Sequence, residues 1–453
     1  MSGLYIYTPE QYLAENEIAY YMKRLLKAKV EAVPWITTDL KHKQPDAVVN
    51  ACTKSVSILT GRPGTGKTTT ARMIVKSLVK AGLRGLVIAP TGKAAKRADE
   101  VVNKGISFVD KITCSTAHTG LEYDGKLGGF AYNRTRKLPF DFVLMDEFSM
   151  GGAVIQRDVL EAIQPGKTRL IYCGDPYQLP SVDSGNVAHD MIASGVIPKV
   201  ELDVVLRTGA NSGITYNANR ILLGQELGKT DPTTGEDFKD FFFVPKRTEL
   251  ETRDVLIKWI CQDLPAKRKF DSLADIQLMC PGKNGVVGTK NMNAVLRSEL
   301  NRAVGRELYG FKVGDKVLNK RNNKKLNIVN GDIGYVKQVV QGQSGSHIEI
   351  DFGGTSGPHQ NGLTPMRGEE MDKVVLAYAT TVHSSQGSEF PVAILPTHRC
   401  HTMLLTRNLI YTGLTRGQQL GMFVGEPDAL LCGIKNTSSI DRYTRLCELL
   451  KAA

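Results

Sequence analysis

One stretch, Gly61-Arg62-Pro63-Gly64-Thr65-Gly66-Lys67-Thr68, constrains this chain more than any other, because it satisfies G-x-x-x-x-G-K-[ST] in full. An apolar run from Val56 to Leu59 leads in, and a helical pattern through Met73, Ile74, Val75, Leu78 and Val79 leads out. A strand that turns through glycines into a helix aims successive backbone N–H groups inward, and the positive end of the helix reinforces that field. The loop is therefore expected to cradle nucleotide phosphates through Gly61, Pro63, Gly64, Thr65, Gly66, Lys67, Thr68 and Thr69. Lys67 is expected to reach the β- and γ-phosphates, and Thr68 to hold Mg²⁺, which keeps most of its water and takes one or two protein oxygens. The fold class that follows is α/β.

The 453 residues allow about two to four domains of ordinary globular composition. Lys and Arg outnumber Asp and Glu by 58 to 46, a formal charge of +12 that favours a polyanionic partner. None of the eight cysteines forms a C-x-x-C pair, and several lie in apolar runs where Cys acts as a small hydrophobe, so a reducing cytosol is expected. No apolar run approaches membrane-spanning length, and Met1-Ser2-Gly3-Leu4-Tyr5 opens no signal pattern. The expectation is a cytoplasmic protein, neither exported nor anchored.

Thr8-Pro9-Glu10-Gln11 reads as a helix start with Thr8 as N-cap and Gln11 closing a capping box, followed by an apolar stripe through Tyr12, Leu13, Ile18, Met22, Leu25 and Leu26. Gln44, just before the loop strand, is a candidate to read the Hoogsteen edge of adenine. Beyond the loop helix, the strand Gly85 to Ala89 ends in Pro90-Thr91-Gly92-Lys93-Ala94-Ala95-Lys96-Arg97, where Thr91, Lys93, Lys96 and Arg97 suit phosphate-backbone contacts. Leu121 to Leu138, with Asp124-Gly125 and Gly128-Gly129 turns, reads as a β-hairpin. The apolar strand Phe142 to Met145 delivers Asp146, expected to hold Mg²⁺, and Glu147, expected to polarise the attacking water. A further strand, Arg169 to Cys173, delivers Gln178, placed to sense the γ-phosphate. His398-Arg399-Cys400-His401 has no second ligand cluster at metal spacing and is not expected to bind a metal.

With these motifs in hand, the chain resembles superfamily 1 DNA helicases, and among them the RecD-like group that moves 5′ to 3′. The strings that carry the resemblance are, in order, QPDAVV, GRPGTGKTT, IAPTGKAAKR, CSTAH, LMDEFSM, GDPYQLPSV, the Arg of Val205-Leu206-Arg207, YATTVHSSQGSEF and YTGLTRG. They span most of the chain, from the first helix to about Gly425.

The resemblance implies two RecA-like motor domains with ATP between them, a pin hairpin at about 119–139 and a small SH3-like β-barrel inserted at 309–375. Residues 1–40 would form an N-terminal helical segment, 41–200 the first motor domain, and 201–308 with 376–453 the second. It also implies that Arg207 and Arg416 stabilise γ-phosphate charge, a task for which guanidinium is better shaped than ammonium, and that Glu389 lies near the nucleotide. By the same resemblance His118, Thr381 and His383 line the DNA path, and Phe130 and Tyr132 meet a separated base pair. The basic run Lys320 to Lys325 would be a barrel loop that either faces solvent or faces DNA. Two positions depart from the family pattern, Ser384 where Lys is common and Gln418 where a basic residue is common. The activity implied is ATP-dependent, 5′ to 3′ translocation with strand separation in replication, recombination or repair, by a compact monomer of phage or mobile-element type. Its partners would be single-stranded DNA, strand junctions, and single-strand-binding or replication proteins. Two rivals stay open: a translocase that strips proteins from DNA without unwinding, and an NTP-regulated loading module.

Overall fold

The computed structural model describes residues 8–104, 111–126, 128–206, 212–323, 325–341, 345–353 and 362–452. The chain divides into two compact units, one of Met1–Gly209 with Ser438–Ala453 and one of Ala210–Thr437.

The first unit is built on the strands β1 (Val56–Gly61), β2 (Gly85–Ala89), β3 (Thr113–Thr116), β6 (Phe142–Met145), β7 (Arg169–Gly174) and β8 (Lys199–Leu202), with a short ribbon of β4 (Tyr123–Asp124) and β5 (Gly129–Phe130) between β3 and β6 in sequence. The six form a parallel sheet in the order β3-β2-β6-β7-β1-β8. Strands β1, β2, β6 and β7 are buried along their whole length, as expected of short apolar runs in a sheet covered on both faces. The ribbon pairs only Tyr123 with Phe130 and Asp124 with Gly129, so the hairpin expected over 119–139 is far shorter than the sequence suggests. Beyond it the Ala131 and Tyr132 amides still donate across to the Glu122 and Leu121 carbonyls at 3.1 and 3.2 Å, and from Asn133 on the chain is held by turns in which the Asn133 carboxamide accepts from the Thr135 and Arg136 amides.

The helix Pro9–Lys27 is part of this unit and not a segment apart. Thr8 caps it, accepting from the Gln11 amide at 3.2 Å, but the capping box is only half made, because the Gln11 side chain donates to Glu15 at 3.0 Å. Its buried face is Ala14, Glu15, Ile18, Ala19, Met22 and Leu25, while Tyr12 and Leu13 of the expected stripe are exposed. That face belongs to a core shared with the helices Ala153–Ala162 and Leu446–Lys451. Sequence order placed residues 376–453 together in the second domain, yet Ser438–Ala453 returns to the first unit, because Leu446 and Leu450 complete the core beside Ile18 and Met22.

The second unit carries β9 (Phe241–Pro245), β10 (Ile276–Cys280), β11 (Lys316–Asn319), β12 (Ile333–Val340), β13 (His347–Asp351), β14 (Thr364–Met366), β15 (Val374–Leu376), β16 (Ala379–Thr381), β17 (Phe390–Thr397) and β18 (Gly417–Gly425). Five of these make a parallel sheet in the order β16-β10-β17-β18-β9, and the five from β11 to β15 make an antiparallel sheet in the order β14-β13-β12-β11-β15. The antiparallel sheet falls between β10 and β16 in sequence and has its own core of Val317, Ile328, Val336, Ile348, Ile350 and Met366. Asp315 anchors its entry: fully buried, it accepts from the Arg297 guanidinium at 2.7 and 2.9 Å, from Asn301 at 2.9 Å and from the Tyr378 hydroxyl at 3.0 Å. A buried carboxylate is tolerable only when it is paired and hydrogen-bonded to this degree.

Candidate nucleotide-binding site

The carboxyl end of the first unit's sheet gathers the site, as open parallel sheets dictate. After β1 the backbone turns through Gly64 and Gly66, at φ +80° and +87°, left-handed values that suit glycine. Gly66 has a second reason to lack a side chain, since a Cβ there would lie 2.3 Å from the Gln44 amide nitrogen. The helix Lys67–Lys80 follows, with Thr68 and Thr69 exposed at its start. Lys67 Nζ folds back to donate to the carbonyls of Gly61 at 2.5 Å and Arg62 at 3.1 Å, inside the loop it serves.

Gln44 opens the helix Gln44–Thr53 and is buried against this loop. Its carboxamide accepts from the Lys41 amide at 3.0 Å and donates to the Thr65 carbonyl at 3.3 Å, so in this structure it braces the loop.

At the end of β6 the two carboxylates are turned by the backbone itself. Glu147 has φ +50°, ψ +39°, a left-handed conformation that costs a non-glycine residue about 1–3 kcal/mol and clusters at functional sites. The bend breaks the alternation that would send Asp146 and Glu147 to opposite faces. Glu147 Oε2 is buried without a hydrogen-bond partner. Burial and the neighbouring Glu147 charge push the Asp146 carboxyl up to about 6, with the Glu147 amide, Lys67 and the Cys173 thiol pulling the other way. Cys173, at the end of β7, is buried between these groups and its thiol is raised well above the usual range, so it is a neutral donor to Asp146. Two crowded carboxylates, one with an orphaned oxygen and the other resisting ionisation, fit a divalent cation with its water. Gln178, also buried, donates to Asp175 Oδ2 at 3.2 Å within the turn after β7. Lys67, Thr68, Asp146, Glu147 and Gln178 thus stand at the ends of β6, β7 and β1, which lie side by side in that order.

The same edge continues to β2 and β3. Thr91 caps the helix Gly92–Val102, accepting from the Ala94 amide at 3.2 Å, and Lys93 lies in its first turn. His118 is exposed and meets Tyr123 edge-on and Phe130 at a tilt, at ring separations of 6.1 and 5.7 Å. Phe130 and Tyr132 are partly buried against the core, and the Tyr132 ring is covered by Arg136 at 4.6 Å. The exposed aromatic of the ribbon is Tyr123, which sequence position did not single out and which only the pairing register identifies. A cavity of about 1110 Å³ lies here, lined by His118, Tyr123, Phe130, Arg134, Gly152 and Asp183 among others.

Arg207 lies outside the described residues, as does Lys324 of the basic run, whose Lys320, Arg321, Asn322 and Lys325 are exposed. In the second unit Arg416 is buried, donates to the Ser388 carbonyl at 3.1 Å, and has an Nε with no partner. Glu389 accepts from the Gln418 carboxamide at 2.9 Å, so the residue that departs from the family pattern supplies an uncharged donor to that carboxylate. Thr381 ends β16 and shares a 2.8 Å hydroxyl contact with Ser384, the second departure, while His383 beside them is exposed.

The second unit also brings Glu249 to His398 and Cys400, three groups of metal-ligand type within 4.8 Å of one another. Sequence spacing could not show this, because Glu249 is about 150 residues away. Both imidazole nitrogens of His398 are engaged by protein, Nδ1 by the Cys400 amide at 3.3 Å and Nε2 by the Arg247 carbonyl and Glu426.

Among the described residues no helix is long and apolar enough to cross a membrane. Residues 44–184 match the family model of an AAA domain, and residues 376–424 that of a UvrD-like helicase C-terminal domain. The chain is 29% identical over 444 residues to the ATP-dependent RecD2 DNA helicase of Deinococcus radiodurans, covering 94% of this chain and 56% of that protein. It therefore spans little more than half the length of that relative. It is also 29% identical over 453 residues to the RecBCD enzyme subunit RecD of Mycolicibacterium smegmatis, covering 93% of this chain and 78% of that one. In fold it is similar to the Pif1 helicase from Candida albicans, at a TM-score of 0.52 and 16% identity over 90% of this chain and 97% of the other. A Bacteroides Pif1 helicase in complex with ADP-AlF3 and single-stranded DNA gives 0.51 and 18% over 85% and 92%. The two parallel-sheet units are thus a pair of RecA-like α/β domains.

Proposed function

We propose that this chain, a member of the RecD-like family of superfamily 1, is an ATP-hydrolysing motor that moves 5′ to 3′ on single-stranded DNA and separates duplex strands. The observation that carries the reading is the convergence of Lys67, Asp146, Glu147 and Gln178 at one sheet edge, with a left-handed Glu147 and an orphaned carboxylate oxygen. The glycine turn and Lys67 bind the phosphates. Lys67 leaves its two backbone carbonyls for phosphate oxygens, exchanging neutral acceptors for charged ones. Thr68 and Asp146 would hold Mg²⁺, which supplies neutralisation of phosphate charge when bound. Glu147 orients and polarises the attacking water through the oxygen that has no protein partner, and Gln178 reports the state of the γ-phosphate. Arg416, buried with an uncommitted Nε, and Arg207 are assigned the stabilisation of charge developing on that phosphate, with Glu389 near the nucleotide.

For DNA, the candidate contacts are Thr91, Lys93, His118, Phe130, Thr381 and His383, to which the exposed ring of Tyr123 is added. Stacking on His118 and Tyr123 is sequence-tolerant, and the positive charge of the chain supplies the phosphate-directed part of the affinity. The ribbon is assigned the role of a pin and the antiparallel sheet that of an SH3-like insertion. The protein acts as a monomer in the cytoplasm, or the host cytoplasm if phage-encoded.

Tailed duplexes test the reading. Strand separation that needs ATP and a 5′ tail, and fails with a 3′ tail, is expected. Hydrolysis stimulated by single strands with no strand product on either substrate would instead identify a translocase that displaces proteins.

A further inference from the structure

The final helix-bearing segment follows the second unit in sequence but is docked on the first, and its docking point is specific. Arg442 sends its guanidinium to three carbonyls of one loop: Nη2 to Ser181 at 2.6 Å, and Nη1 to Asp183 and Gly185 at 2.8 Å each. Two residues earlier in the strap, the Ile440 carbonyl accepts from Asn186 at 3.1 Å. Three residues later the Arg445 amide donates to the buried Glu15 at 2.8 Å, and Leu446 and Leu450 enter the core. The strap is therefore fixed on both sides of Arg442.

The loop it grips, residues 181–186, directly follows Gln178-Leu179-Pro180. Its other face lies on the backbone just after the Glu147 turn. The Ser184 carbonyl accepts from the Ala153 amide at 3.1 Å, and a Cβ on Gly152 would come within 2.5 Å of the Asp183 Cβ. One loop thus touches the segments that carry both hydrolytic side chains, and one guanidinium fixes its carbonyls. A planar fork with five N–H donors can satisfy diverging carbonyls that a single ammonium cannot reach together.

We propose that Arg442 is a positioning residue for hydrolysis: by clamping the loop 181–186 it sets the register of Gln178 and of the Glu147 turn. The proposal rests on the reading of the first unit as an ATPase. Arg442→Ala should lower kcat for single-strand-stimulated hydrolysis about tenfold with KM for ATP within about twofold, the pattern of a lost transition-state arrangement. In the nucleotide-free protein, hydrogen exchange of amides 181–186 should rise about tenfold or more while β1 keeps its protection. Arg442→Lys should recover only part of either change. Leu450→Ala, which loosens the strap away from the loop, is the control: it should lower the melting temperature and leave kcat within about twofold. Unchanged exchange of the loop in Arg442→Ala, or a kcat no lower than that of Leu450→Ala, would overturn the proposal. A wild-type protein that does not hydrolyse ATP at all would sink the ATPase reading instead, and the exchange comparison would still decide whether the clamp exists.

Discussion

Both units place a strand, a glycine-bearing loop and a helix at the heart of a parallel sheet, and they use that junction in opposite ways. In the first, β1 runs into Gly64, Gly66 and the helix Lys67–Lys80, whose leading Thr68 and Thr69 face solvent. In the second, β10 runs into Gly282, Gly285, Gly288 and the helix Thr289–Leu300. There the first helical amides are consumed internally, Thr289 by the Gly282 carbonyl and Lys290 by Lys283, each at 3.1 Å. Glu249 supplies the anion, its carboxylate accepting from the Val286 amide at 3.0 Å, and His401 fills the space over Gly282, where a Cβ would come within 2.9 Å of the ring. Similar loops become a ligand site or a structural joint according to whether the protein leaves their donors open or supplies its own carboxylate.

The largest break in that contrast should come from Lys67→Ala, which removes the charge the first loop holds in reserve. Single-strand-stimulated hydrolysis is expected to fall about 10²–10³-fold, with thermal stability little changed. Steady-state turnover measures this, and activity within about threefold of wild type would mean that phosphate is bound elsewhere. Next comes Asp315→Ala in the second unit, where Asn301 and the Tyr378 hydroxyl would lose their buried acceptor and the half-buried Arg297 would keep only Glu307. A loss of about 3 kcal/mol in the urea transition of that unit is expected, with nucleotide binding intact.

Asp146→Asn sharpens the comparison through pH. The folded carboxyl titrates at about 6 against 3.8 in the unfolded chain, so between those values the native state binds the extra proton and stability is lost as pH rises. At pH 7 the nucleotide-free Asn variant should melt higher than wild type, by on the order of 1 kcal/mol after solvent screening, while hydrolysis fails. The gap should close on acidification below about 4. Differential scanning fluorimetry across pH follows it, and a constant gap would show that the carboxyl is not strained by its neighbours. The smallest effect is expected of Glu249→Gln, which keeps an acceptor for Val286 but removes the charge, costing about 1 kcal/mol with no change in nucleotide affinity by fluorescent-ADP titration.

Much of the site was legible as chemistry at fixed spacing. A glycine turn between an apolar strand and a helix is local, so the turn at Gly64 and Gly66 and the helix start at Lys67 were legible in the sequence, as was the delivery of Asp146, Glu147 and Gln178 just past apolar runs. Local patterns could not reveal what depends on distant partners. Gln44 braces the loop through Thr65, Glu389 pairs with Gln418, and Phe130 is drawn toward the core while Tyr123 is left exposed. The buried stripe of the first helix starts a residue or two later than its apolar pattern for the same reason: burial of Ala14 and Glu15 in place of Tyr12 and Leu13 is set by what packs there.

What the sequence alone determined is the set of residues whose placement lies in their immediate backbone: the glycines of the turn, Lys67 at the helix start, the two carboxylates at a strand end. What only tertiary structure decided is how those residues are poised. The left-handed turn at Glu147 and the crowding that raises Asp146 depend on neighbouring strands. The return of residues 438–451 to grip the loop 181–186 depends on apolar burial by Leu446 and Leu450, more than 400 residues from the helix they meet. Short-range order is written in steric and hydrogen-bonding preferences of adjacent residues, whereas hydrophobic burial is indifferent to sequence distance and is resolved only when the whole core assembles.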